Sequence, residues 1–206
     1  MTEAISRSAS VVDASGNKMA TLVAAIRPRP VAQPRPPNRE QDIEMHDVKA
    51  LVASAAVLTG VTAPFGSTTL CPLVQGFVLL PLTDAVLREI TAACQTAEPK
   101  QPAIADVAQG VAQFASQLSL SGPVAYVSTE FFGGTGGQDV VVWSSGRVAL
   151  LLSDRDGETI EWPNSPVSQA LRAIGVEAIG GKDEFDTVGL GTYRSTEGWA
   201  AAHAAS

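Results

Sequence analysis

Residues 50–83 carry no charged side chain at all. A window like that is a membrane span, a secretion signal or a strap laid on other protein. Its most apolar part, ALVASAAVLTGVTAP at 50–64, follows Lys49. It is shorter than the roughly 20 strongly apolar residues that a helical span needs, and it is diluted by Ala, Thr and Gly. It also starts too far from Met1 for an ordinary signal peptide. We read it as a weak helix or a collapsed strap, with no membrane partner.

The window ends near a break in composition. Residues 1–74 hold seven Lys/Arg and six Asp/Glu, whereas residues 75–206 hold seven and fifteen. Before the window lies a biased run, RPRPVAQPRPP at 27–37. Proline has no amide donor and a fixed φ, so this run is neither helix nor central strand. Its PxxP spacing with flanking arginines suits a polyproline II groove, or else it is a solvated linker. Residues 1–74 are therefore expected to be a flexible Pro/Ala-rich arm, disordered at its N-terminal end. Removing residues 1–70 is expected to leave the rest folded. A translation start near residue 74 is the other reading of the same break.

From residue 75 the pattern becomes regular. GFVLL at 76–80 reads as a short strand. Thr83 and Asp84 then open a helix, with a hydroxyl cap and a carboxylate in the first turn. A second helix over 104–118 has the clearest helical period, with Val111 and Phe114 facing inward. A β-meander follows, with strands at 124–131, 138–143, 147–153 and 158–162 and with Gly or Asp at the turns. Ser165 and Pro166 start a third helix, and Gly175 is placed to end it. The remainder is a Gly-rich acidic tail, frayed over 200–206. The expected fold class is α+β: an antiparallel meander sheet in two layers with two to three helices, spanning residues 75–199.

The chemistry-bearing residues are few. Two cysteines, Cys71 and Cys94, make no disulfide framework and no zinc site, which fits a reducing, cytoplasmic compartment. An acidic domain repels a phosphate backbone, so nucleic acid is not an expected partner. No cofactor motif occurs. The loop Phe131-Phe132-Gly133-Gly134-Thr135-Gly136-Gly137-Gln138 lacks the lysine and the following helix of a phosphate loop. It reads as a flexible hairpin loop or a partner-binding loop. Glu130 and Asp139 flank it, and with Arg194 as an anion clamp they would make a general acid and base. They are equally polar positions on an open sheet face. Asp183, Glu184 and Asp186 lack the spacing of a calcium loop, so no metal is assigned to them.

Residues 123–143 (PVAYVSTEFFGGTGGQDVVVW) and 183–199 (DEFDTVGLGTYRSTEGW) resemble a family of small, uncharacterised bacterial proteins of toxin–immunity loci. The shared pattern is aromatic-Gly-Gly-x-Gly-x-Gln, then a Glu-Phe-Asp…Gly-Leu…Arg…Trp tail. The resemblance covers about residues 75–199. It brings no catalytic residues and implies a binding role: an immunity-type domain that meets a basic partner protein. The expected contact residues are Phe132, Gly133, Gly134, Gly136 and Gly137 of the loop and Asp183, Glu184 and Asp186 of the tail. Phe131 and Trp199 are aromatics more suited to the core. The alternative is a small enzyme that uses the carboxylates near the loop.

Overall fold

The computed structural model describes residues 45–60, 65–94, 107–132, 135–155 and 164–204. The proline run, the Gly133-Gly134 pair, the start of the second expected helix and the expected strand at 158–162 lie outside them.

The described chain begins with a strand, β1 (His46–Ser54), which runs into a one-turn helix, α1 (Ala55–Leu58). A two-residue strand β2 (Cys71–Pro72) leads through a tight turn to β3 (Phe77–Pro81). Two helices follow, α2 (Asp84–Cys94) and α3 (Gln109–Leu118). The meander is β4 (Val124–Phe132), β5 (Thr135–Ser144) and β6 (Arg147–Asp154). Three helices close the chain: α4 (Pro166–Ala173), α5 (Glu184–Val188) and α6 (Thr196–His203). All strands pair antiparallel in one six-stranded sheet of order β2-β3-β1-β4-β5-β6. The fold class is α+β, as expected.

The arm boundary at residue 74 is corrected. β1 sits in the middle of the sheet, paired with β3 on one side and β4 on the other. Ala50, Leu51, Val52 and Ala53 are all fully buried. A strand covered on both faces has no reason to alternate, so it appears in sequence as a continuous apolar run. The absence of charge that looked like a strap is the signature of the most central strand.

The two-layer expectation is corrected as well. Helices cover both faces. Leu51 and Ala53 of β1 join Val78, Leu80, Val124, Tyr126, Val141 and Trp143 in a core beneath α1, α2 and α3. Val48, Ala50 and Val52 join Leu79, Ala125, Val127, Val140 and Val142 in a second core beneath α4, α5 and α6. The Gly-rich tail is thus two helices. Asp183 caps α5 by accepting from the Asp186 amide at 2.7 Å, and Gly189 leaves the helix at φ 80°. Ser195 caps α6, whose residues 200–203 are helical rather than frayed. Trp199 is buried in the second core.

Elsewhere the local signals act as expected. Thr83 accepts from the Val86 amide at 3.4 Å. Ser165 caps α4 with Pro166 at its start. Val111 and Phe114 are buried on α3. The β5–β6 turn has φ 52° at Ser145 and 76° at Gly146, the two positive values of the turn type whose twist suits a two-residue hairpin.

Candidate functional site

The β1–β4 ladder changes character along its length. On the α2–α3 face of β4 the outward positions run Val124, Tyr126, Ser128, Glu130, Phe132. The first two belong to the core, Ser128 is nearly buried, Glu130 is exposed, and Phe132 is 61% exposed. Beyond Tyr126 this face of the ladder therefore stops burying apolar surface and starts presenting polar groups, while Val127 and Val48 stay buried on the other face. Across it, Ser128 pairs with Lys49 and Glu130 with Asp47. Directly opposed residues share a face, so Lys49, Asp47, Ser128 and Glu130 form one polar patch.

A pocket of about 580 Å³ lies over the Lys49, Ser128 and Glu130 part of this patch, with Asp47 beside it rather than in its lining. Lys49, Ser128, Glu130, Asp139 and Arg155 supply polar groups. Leu82, Leu87 and Val111 supply apolar walls, and Tyr126 and Phe132 supply rings. That mixture, at that size, is typical of a ligand site.

Glu130 and Asp139 both line the pocket, but they are not equivalent. Asp139 is 6% exposed. Its Oδ1 accepts from Ser153 Oγ at 2.5 Å and from Arg155 Nε at 3.3 Å, and its Oδ2 accepts from Arg155 Nη2. Both oxygens are committed, which suits a carboxylate that holds a guanidinium in place rather than one that moves protons. Glu130 has no ion-pair partner among the described residues, nor has Lys49. The third residue of the expected set, Arg194, does not line the pocket. Its carbonyl accepts from the Asp47 amide at 2.8 Å, along the edge of β1 that β3 leaves uncovered. The acid–base pair with an Arg194 clamp is therefore not assembled.

The glycine run is not a long loop. Phe132 pairs with Thr135, so Thr135, Gly136 and Gly137 are already strand β5. A Cβ on Gly136 would stand 1.9 Å from the Glu130 carbonyl oxygen, and one on Gly137 would stand 2.8 Å from that of Asp154. The glycines allow β5 to approach both neighbours closely, and Gly136 and Gly137 form backbone wall of the pocket. Gly133 and Gly134 lie outside the described residues.

The tail carboxylates do not form a joint surface. Glu184 is 2% exposed and accepts from Arg172 Nε at 2.7 Å, which joins α5 to α4. Asp183 is the half-buried helix cap, and of the three only Asp186 is exposed. Among the described residues no group of three or more His, Cys, Asp or Glu is arranged to hold a metal ion. No helix among them is long and apolar enough to cross a membrane.

Two further titratable groups are perturbed. His46 begins β1 on the opposite face, with Nδ1 2.7 Å from Thr129 Oγ1 and its ring 5.6 Å from that of Phe185. Burial, and then the charge of Arg194, lower its pKa against the opposing pull of Asp47. Cys71 is buried beside α6, with Sγ 3.4 Å from the Trp199 carbonyl. Burial pushes its thiol up to about 11, which keeps it protonated and inert at neutral pH.

Sequence reasoning found Glu130, Asp139 and Phe132 but missed Lys49, Ser128 and Arg155. Lys49 carries the last charge before the uncharged window, and Ser128 interrupts the apolar alternation of β4. Together those two signals mark where the ladder leaves the core. Neither the family models, nor the curated proteins, nor the solved structures compared with this chain give a match.

Proposed function

We propose that the protein is an immunity-type binding module for a basic partner protein, and that the pocket over Glu130 receives a cationic side chain of that partner. The observation that carries this reading is the direct opposition of Asp47 and Glu130 across the ladder, both exposed and neither ion-paired among the described residues. Like charges facing each other across strands destabilise a sheet, and a cation placed between them removes that cost. Phe132 at the rim is an exposed aromatic next to this charge, the kind of residue that anchors interfaces. The acidic balance of residues 75–206 adds a field that speeds encounter with a basic surface.

This reading moves recognition from the tail to the pocket. Glu184 is internal and Asp183 is a cap, so they contribute charge at a distance rather than contacts. The enzymatic alternative has in its favour that Glu130 and Asp139 line one pocket. Against it, both oxygens of Asp139 are already engaged.

The test uses a fluorescent peptide of alternating alanine and leucine with a single arginine, and its twin with neutral citrulline in place of arginine. The arginine peptide is expected to bind the full chain at least tenfold more tightly. Glu130→Gln is expected to remove that preference. Equal affinity for the two peptides would overturn the reading.

A further inference from the structure

Among the described residues, Glu130 is not the only unpaired charge in the pocket. Lys49 stands on the same face, two ladder positions along, opposite Ser128. Relative to Glu130 it is a diagonal cross-strand neighbour, a relationship that places Cβ atoms within about 8 Å. Two opposite charges this close would ordinarily form an ion pair, yet none joins them, and neither has another partner among the described residues. Asp139 and Arg155 also line the pocket but are paired with each other, which leaves Lys49 and Glu130 as one cation and one anion side by side. The hydroxyl-bearing Ser128 neighbours both, opposite Lys49 and two residues before Glu130 on β4, and Leu82, Leu87 and Val111 form the walls.

A ligand complementary to this arrangement carries a carboxylate and a cation separated by roughly the same span, joined by an apolar stem. An extended arginine or lysine residue with a free α-carboxylate has that form. Its carboxylate would meet Lys49, its side-chain cation would meet Glu130, and its methylenes would lie on the leucine walls. Long basic side chains bury their stems in this way while their charged ends stay polar-bound. Within a protein chain, such a residue with a free α-carboxylate occurs only at the carboxy-terminus.

The geometry points to a partner that presents a carboxy-terminal Arg or Lys, read jointly by Lys49 and Glu130. This rests on the basic-partner reading above and narrows it to one end of the partner chain. It also gives the unpaired Lys49 ammonium a role beside Glu130. An internal basic segment would gain nothing from it.

The experiment compares two peptides that end in Leu-Arg, one with a free carboxylate and one with a carboxamide, by fluorescence anisotropy with the full chain. The free acid is expected to bind at least tenfold more tightly. Lys49→Met is expected to bring the acid-to-amide ratio close to one, and Lys49→Arg to keep it. Glu130→Gln is expected to weaken both peptides by a similar factor and leave the ratio intact. Thermal melts of each variant confirm folding, and Lys49→Gln, which removes the charge but keeps a polar side chain at this exposed position, is expected to bring the ratio close to one if Lys49→Met does not fold. Equal binding of acid and amide, with arginine still preferred over citrulline, would overturn the terminal inference and leave the basic-partner reading standing. Loss of the arginine preference as well would overturn both. Free arginine that displaces the peptide with equal affinity would show an amino-acid site and overturn the partner terminus.

Discussion

The two halves of the β1–β4 ladder share strands, register and twist, yet they differ in almost everything else. In the inner half, Ala50–Ala53 face Val124–Val127 and are dry on both sides of the sheet. In the outer half, His46, Asp47 and Lys49 face Phe131, Glu130 and Ser128, while Val48 opposite Thr129 keeps only the α4–α6 face buried. One half contributes stability through buried apolar area. The other stacks opposed carboxylates and a lone ammonium under a pocket. The difference teaches that a single element can be core and site in succession, and that the change occurs where the helices of one face stop covering it. Substitutions in the two halves should then have opposite profiles.

The largest expected effect is on the inner half. A chain starting at Pro72 lacks β1 altogether, so β3 and β4 lose their shared neighbour and both cores lose their centre. It should show no cooperative thermal transition by circular dichroism. A melt like that of the full chain would mean that β1 is dispensable.

Next is the packing beneath the helices. Phe114 of α3 is 5% exposed and meets Phe65 edge-on at 5.4 Å between ring centres. Phe114→Ala should cost about 3–5 kcal/mol in urea denaturation. An unchanged midpoint would contradict the core assignment of α3.

A smaller effect concerns the link between α4 and α5. Removing the Glu184 carboxylate as Glu184→Gln weakens its bond to Arg172 and should lower stability by about 1–3 kcal/mol. It should leave the arginine-peptide affinity unchanged. A loss of affinity with no loss of stability would return recognition to the tail.

The smallest effect is a pH dependence. His46 titrates lower in the folded protein than its ordinary value near 6.5. Below that value the unfolded chain binds more protons than the folded one, so stability rises with pH there. The contribution is complete above about pH 6.5 and is lost as pH falls through the folded pKa. His46→Gln should therefore lose less stability than the wild type between pH 7.5 and pH 5, measured by urea midpoints. Parallel losses would show that His46 is not part of the acid response.

Much of the fold was legible in residues whose signals are local. Thr83, Ser165, Pro166 and Gly175 mark helix ends, and Val111 with Phe114 marks a helix face, because caps and 3.6-residue periods depend on nearest neighbours. β1 was not legible, since a strand buried on both faces shows neither alternation nor a helical period. α5 and α6 were hidden because each is short and each is surrounded by glycines. What orders them is burial of Val188 and Trp199 against a sheet face supplied from far away in sequence. The site was half legible. Glu130 and Phe132 stood out beside the glycines. The role of Asp139 did not, because Arg155 reaches it only through the β5–β6 pairing. Lys49 lay within what looked like an arm.

The most direct test of the division between core and site is Glu130→Gln, measured for both stability and binding. The carboxylate faces Asp47 and has no ion-pair partner among the described residues, so its loss relieves a like-charge contact. The account predicts a melting temperature that is unchanged or slightly raised, together with at least a tenfold loss of affinity for the arginine peptide. A lowered melting temperature with unchanged affinity would contradict it, because Glu130 would then belong to the structural half of the ladder.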